Sequence, residues 1–132
     1  MPETGTATSI TGVGTCIVTV SDQDAAVEFF TEKLGFEKRS DSAYGDGQRW
    51  VDVAPAGATT TVALVPPMGE NAAGGETGIA FATDDIDADH AALRERGVDV
   101  DDEVMRMGDP VPPMFFFRDP DGNGYLIVGH PG

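Results

Sequence analysis

Apolar and polar positions alternate from Gly14 to Val20, with Thr15, Ile17 and Thr19 set against Cys16, Val18 and Val20, the period-two signature of a strand. Ser21 and Asp22 follow as N-cap candidates. Ala26, Val27, Phe29, Phe30 and Leu34 then recur at helical spacing until Gly35 supplies a C-terminal stop. Phe36 to Arg39 reads as a strand and Ser40 to Gly47 as a turn-rich loop. Arg49 to Val53 and Thr59 to Val65 read as two strands joined across Pro55, Ala56 and Gly57. The pattern therefore predicts a βαβββ unit.

The order then repeats. Pro66 to Glu76 has no apolar period and reads as a linker. Gly78 to Ala82 alternates as a strand, Thr83-Asp84-Asp85-Ile86-Asp87 caps a helix through Leu93, and Gly97 stops it as Gly35 stops the first. A shift of 62 to 63 residues lays the second strand-cap-helix-Gly unit on the first. Val98 to Val100, Val104 to Met107, Met114 to Phe117 and Gly124 to Val128 complete the second half as strands, and Asp119-Pro120-Asp121-Gly122-Asn123 forms the final hairpin turn. The boundaries predicted are a leader at 1–10, modules at 11–66 and 77–129, a linker at 67–76 and a tail at 130–132. The fold class predicted is α+β, two βαβββ modules forming a curved mixed sheet around a cleft. Each half has a helix to cover one sheet face only, so two halves side by side can enclose a cleft between the uncovered faces. The long sheet edges of so small a chain point to a homodimer that protects them.

Composition narrows the setting. At 132 residues the chain buries roughly two-thirds of its unfolded surface and needs no disulfide or metal staple. Its single cysteine, Cys16, sits in an apolar alternating run and reads as a small buried hydrophobe, which fits a reducing cytoplasm. No stretch approaches the roughly 20 apolar residues of a membrane span, and Met1 to Ser9 lacks the regions of a signal peptide. The expected location is cytoplasmic. Twenty-three acidic against eight basic residues give a formal charge of -15, which repels phosphate backbones and anionic membranes, so neither nucleic acid nor membrane is an expected partner. Most of the acids lie beside helix starts and turns, where carboxylates cap or stay solvated.

Three motifs carry a family resemblance. Val18-Thr19-Val20-Ser21-Asp22 through Leu34-Gly35-Phe36, its echo Ile79-Ala80-Phe81 through Arg96-Gly97-Val98, and Phe116-Phe117-Arg118-Asp119-Pro120-Asp121-Gly122-Asn123 together resemble the vicinal oxygen chelate superfamily of glyoxalases, bleomycin-resistance proteins and extradiol dioxygenases. The resemblance covers nearly the whole chain after the leader. In metal-dependent relatives it implies one divalent cation in the cleft, held from the opening strand of each half and the last strand of each half. The corresponding positions here are Thr15, Gly78, Ala63 and Leu126. None offers the imidazole, carboxylate or thiolate that zinc, nickel or iron requires at about 2.0 to 2.3 Å. Of the two histidines, His130 falls in the tail and His90 lies on the second helix, bordering the core away from the cleft. No cofactor, metal or catalytic residue is expected, and the activities that need the family metal are set aside.

The resemblance also places a cleft floor of Thr15, Ala63, Gly78 and Leu126, with Ile17, Ala80 and Val128 as same-face neighbours. Phe116 stands where substrate-contacting relatives place an aromatic or polar side chain, with Met114 beside it in phase. Met105 and Met107 share another strand face, and Trp50 shares one with Asp52. Methionine and aromatic side chains make an adaptable wall for a planar or bulky apolar ligand, and Asp52 is either a solvated strand carboxylate or an anchor for a cationic one. The candidate ligand-binding set is Thr15, Ile17, Trp50, Asp52, Ala63, Gly78, Met105, Met107, Met114, Phe116 and Leu126. The leading expectation is a dimeric, metal-free protein that sequesters a hydrophobic or aromatic small molecule, as antibiotic-resistance members of the family do. The alternatives are a lyase, isomerase or dioxygenase with relocated or absent metal, and a regulatory or structural dimer with a filled core.

Overall fold

The computed structural model describes residues 8–67 and 72–129. In the first half, β1 (Thr15–Thr19) leads into α1 (Gln23–Glu28), whose last turns, Phe29–Lys33, widen to π-helical hydrogen bonding. β2 (Glu37–Tyr44), β3 (Gln48–Ala54) and β4 (Thr61–Val65) follow. The second half repeats the order as β5 (Glu76–Thr83), α2 (Ile86–Glu95), β6 (Asp99–Val100), β7 (Met114–Arg118) and β8 (Gly124–Gly129). Each half forms a four-stranded mixed sheet, ordered β1-β4-β3-β2 and β5-β8-β7-β6, with its first strand parallel to its last. The two βαβββ modules of an α+β fold are as the sequence pattern predicts.

Local chemistry explains the shared outline. Asp22 accepts from the Ala25 backbone N–H at 3.0 Å and Asp85 from that of Ala88 at 3.1 Å, so the two helices start on the same cap one repeat apart. Gly35 and Gly97 both sit at positive φ, +76° and +81°, where an L side chain is strained, and the helices stop there. The widened end of α1 coincides with Thr31, whose hydroxyl donates to the Val27 carbonyl at 2.9 Å and so competes for the helix ladder.

Two stretches differ from the expected pattern. Ser40 to Tyr44, expected as loop, extends β2, because β2 and β3 pair as one hairpin from Glu37↔Ala54 to Tyr44↔Gln48 and the turn is confined to 45–47. Val104 to Met107, expected as a strand, makes only a single bridge at Met105↔Met114. The chain from Gly108 to Pro113 carries three prolines, which lack the N–H a ladder needs, so pairing cannot spread from that bridge.

The helix-covered faces of the two sheets meet in one core. Val18, Val53, Val62 and Leu64 from the first sheet, and Phe115, Phe117, Tyr125 and Ile127 from the second, are buried in a single cluster with Ala26, Phe29, Phe30, Ile86 and Leu93 of the helices. Phe29 stacks on Phe117 at 6.2 Å and Phe30 meets Tyr125 edge-on at 5.7 Å, so the first helix lies between the sheets. The repeat is visible in the contact between helix ends. Lys33 donates through Nζ to the Arg96 carbonyl at 2.8 Å, and Arg96 returns a bond to the Lys33 carbonyl at 2.7 Å.

A second tie comes from the final turn. Asp119, buried, accepts from the backbone N–H groups of Asp121 and Asn123 and from the Asn123 amide, and the Tyr125 hydroxyl donates to it at 2.8 Å. Burial, reinforced by that carboxylate, holds the Tyr125 phenol far above its ordinary pKa. Asn123 in turn donates to the Thr19 carbonyl at 3.0 Å and accepts from the Gly74 N–H at 2.7 Å, pinning the turn to β1 and to the segment ahead of β5. Asp119→Ala, which strands several buried donors at once, is expected to cost at least about 3 kcal/mol in urea unfolding, and Tyr125→Phe about 1 to 2 kcal/mol.

Candidate functional site

Because alternate residues of a strand point to opposite faces, burying Val18, Val53 and Val62 in the core turns Ile17, Asp52 and Ala63 outward. The register places them in one lateral row across the first sheet, Ile17–Ala63–Asp52–Ser40. The alignment at its β2 end depends on a bulge: the register slips between Lys38 and Ser40, and the skipped Arg39 turns to the carbonyls of Pro55 and Ala58. Trp50, two residues before Asp52, lies on the same face opposite Ser42. Ile17 is 63% exposed, whereas Asp52 keeps 7% of its surface and Ala63 is fully buried at the floor.

The outward face of the second sheet is more apolar. Ala80, Leu126 and Phe116 form one row, and Ala82, Val128, Met114 and Met105 the next. Leu126, Phe116, Met114 and Met105 are all half-buried. The face ends in a polar row, Glu76–Gly124–Arg118–Asp99, in which Arg118 pairs with Asp101 at 2.9 Å. The hydrogen bond to Asp101 raises the Arg118 pKa and keeps its charge engaged there. Met107 lies outside both rows, 67% exposed in the loop that replaces the expected strand, so it does not share a strand face with Met105.

The sequence-predicted set is thus divided between two surfaces. Thr15, Ile17, Trp50, Asp52 and Ala63 belong to the first sheet, and Gly78, Met105, Met114, Phe116 and Leu126 to the second. Since both sheets spend their helix-covered faces on a common core, the uncovered faces of one chain look outward.

The four positions expected to ligate a metal do not fit one. Thr15 uses its hydroxyl on β4, donating to the Thr61 carbonyl at 3.1 Å and accepting from the Thr61 hydroxyl at 2.9 Å. Ala63 and Leu126 offer only carbon. Gly78 sits at φ +77° where the β5–β8 register slips, a backbone that disfavours any side chain there, ligand or not. Among the described residues no three His, Cys, Asp or Glu side chains converge as a metal site. His90 packs its ring edge-on to Phe115 at 4.9 Å, and its Nε2 lies 2.7 Å from the Asp101 carbonyl, so it braces α2 on the core side. His130 lies outside the described residues.

This arrangement can be set beside known proteins. The family model of the glyoxalase/bleomycin resistance protein/dioxygenase superfamily matches residues 12–125. The chain belongs to that superfamily. Among solved structures it resembles TnmS3, an antibiotic binding protein from Streptomyces sp. CB03234, at 38% identity and a TM-score of 0.83, covering 96% of this chain and 100% of that one. A superfamily member from Sphaerobacter thermophilus DSM 20745 matches at 39% identity and a TM-score of 0.85, covering 92% and 98%. The uncharacterized protein YetH of Bacillus subtilis (strain 168) is 33% identical over 118 residues, 87% of this chain and 95% of that protein. No helix among the described residues is long and apolar enough to cross a membrane.

One feature of this superfamily member escaped sequence reasoning. A concavity of about 370 Å³ lies on the helix side of the sheets, lined by Phe36, Phe81, Phe117, Leu93, Thr83 and Asp89 among others. Thr83 donates a short hydrogen bond to Asp89 at its wall. These residues come from both halves, so no single-segment pattern groups them. The face assignment itself is testable by urea unfolding: Ile17→Ser should change stability by less than about 0.5 kcal/mol, and Val18→Ala, one residue on, should cost about 1 to 3 kcal/mol.

Proposed function

We propose that this protein is a metal-free intracellular binder that sequesters a hydrophobic, aromatic small molecule of the antibiotic type, and that it does so as a homodimer. The observation that carries the reading is the uncovered pair of rows on the second sheet, Ala80–Leu126–Phe116 and Ala82–Val128–Met114–Met105, lying where the superfamily's metal would be approached and holding no donor for one. Such a surface offers area to an apolar ring system and adaptable thioethers to its edges. The likeness to an antibiotic binding protein supports the same direction.

The dimer follows from where the faces point. A ligand resting on one outward sheet is half-solvated, whereas the first sheet of a second copy, laid over the second sheet of the first, closes the site from both sides. Symmetry makes two such sites per pair. Ile17, exposed on one wall, then meets the apolar rows of the other.

Titration of the purified protein with a panel of aromatic antibiotics, following the fluorescence of Trp50, the one tryptophan of the chain, tests the reading. Saturable quenching by at least one member is expected, with Phe116→Ala weakening that affinity roughly tenfold or more at unchanged thermal stability. Sedimentation should give twice the 13.8 kDa chain mass. A folded monomer that binds none of the panel, or protein purified without chelator that carries stoichiometric metal, would overturn the proposal.

A further inference from the structure

We propose that Asp52 is an anchor that selects, among aromatic ligands, those carrying a positively charged amine. The inference rests on the small-molecule reading above and specifies its ligand.

Asp52 occupies an inner strand of the first sheet, flanked in its row by Ala63 and Ser40. It keeps 7% of its surface, and its Oδ1 is closed off and accepts no hydrogen bond from any described group of the protein. A buried carboxylate oxygen without a donor costs folding free energy, and proteins rarely leave one so. Every cation nearby in the sequence is committed elsewhere. Arg49 points to the helix side and pairs with Asp24 at 3.0 Å and Asp41 at 2.8 Å, Lys38 pairs with Asp41 at 3.0 Å, and Arg39 with Glu37 at 2.9 Å. Among the described residues, the buried carboxylate on the outward face of the first sheet has no counter-ion.

The chemistry of its partner follows. A divalent metal needs several converging donors, and none assembles with Asp52 among the described residues. An ammonium needs only one carboxylate, reaches it through the 7% of Asp52 that stays open, and forms a charge-assisted hydrogen bond there. Trp50, on the same face, offers its ring to the aromatic body beside the amine or to the cation itself. The net charge of -15 draws such a ligand in and repels an anionic one.

The test uses two probes with one body, dansylcadaverine, which carries a primary ammonium, and its N-acetyl derivative, which does not, titrated into the full chain and read by dansyl emission. The cationic probe should bind at least tenfold tighter. Asp52→Asn should erase that preference, chiefly by weakening the cationic probe, with the melting temperature equal to or above the parent's, since the variant removes a buried carboxylate oxygen that lacks a donor. Glu32→Gln, an exposed acid on the helix, should preserve the preference, which separates the anchor from the general negative field. Equal affinities for the two probes in the parent protein, or a preference that survives Asp52→Asn, would overturn the anchor and leave the small-molecule reading standing. Should the variant fail to fold, the parent's own ratio decides. Binding of neither probe, together with no binding across the antibiotic panel, would overturn both.

Discussion

The ring of Phe30 lies 5.5 Å from Phe36 of its own half and 5.7 Å from Tyr125 of the other, and the rest of the architecture depends on that double contact. A βαβββ unit covers one sheet face with its helix and leaves the remainder of that face short of partners. Here each half completes the other: Phe29 and Phe30 fill the space against Phe117 and Tyr125, and Phe36 meets Phe81 edge-on at 5.3 Å. Committing the helix-side faces to one another fixes everything outward of them. The opposite faces become the free surfaces of the molecule, and any ligand site built on the sheets opens to the outside of the chain.

Polar chemistry locks the same arrangement. The Asp119–Asn123–Tyr125 network joins the last hairpin to β1 through the Thr19 carbonyl, while Ser21 binds Asp121 through both its backbone and its hydroxyl. This is an unusual use of a carboxylate in so acidic a protein. Several of its acids cap helices, as Asp22 does, or face arginines at the surface, as Asp41 does. Its hydrogen bonds from Arg49 and Lys38 hold its pKa well below the ordinary carboxylate range. Asp119 is instead satisfied by backbone, amide and phenol donors, whereas Asp52 Oδ1 accepts from no group among the described residues. The contrast between these two buried carboxylates, one saturated and one bare, distinguishes a structural acid from a candidate recognition group.

The superfamily scaffold persists here, and the four positions that the resemblance sets against metal ligands are Thr15, Ala63, Gly78 and Leu126. Their replacements are not interchangeable with one another. Thr15 has been drawn into a hydroxyl pair with Thr61, Gly78 has taken a backbone that disfavours any side chain, and Ala63 and Leu126 have become floor and wall. What remains is a polar-edged apolar surface on one sheet and a buried carboxylate on the other.

The sequence by itself determined the repeat, the helix limits and the strand faces, because each is local: a cap at Asp22 or Asp85, a stop at Gly35 or Gly97, and an alternation that sorts Ile17 from Val18 need only near neighbours to be read. It also identified the superfamily. The extent of β2 and the failure of Val104 to Met107 to pair were settled by long-range partners and by prolines several residues away. The tertiary structure alone decided how the two halves meet, since their placement rests on aromatic contacts between residues such as Phe30 and Tyr125, far apart in the chain and carrying no mutual signature. It alone separated the bare carboxylate of Asp52 from the saturated one of Asp119, because satisfaction of a buried charge is a property of what surrounds it in space, and an aspartate reads the same in either place along a sequence.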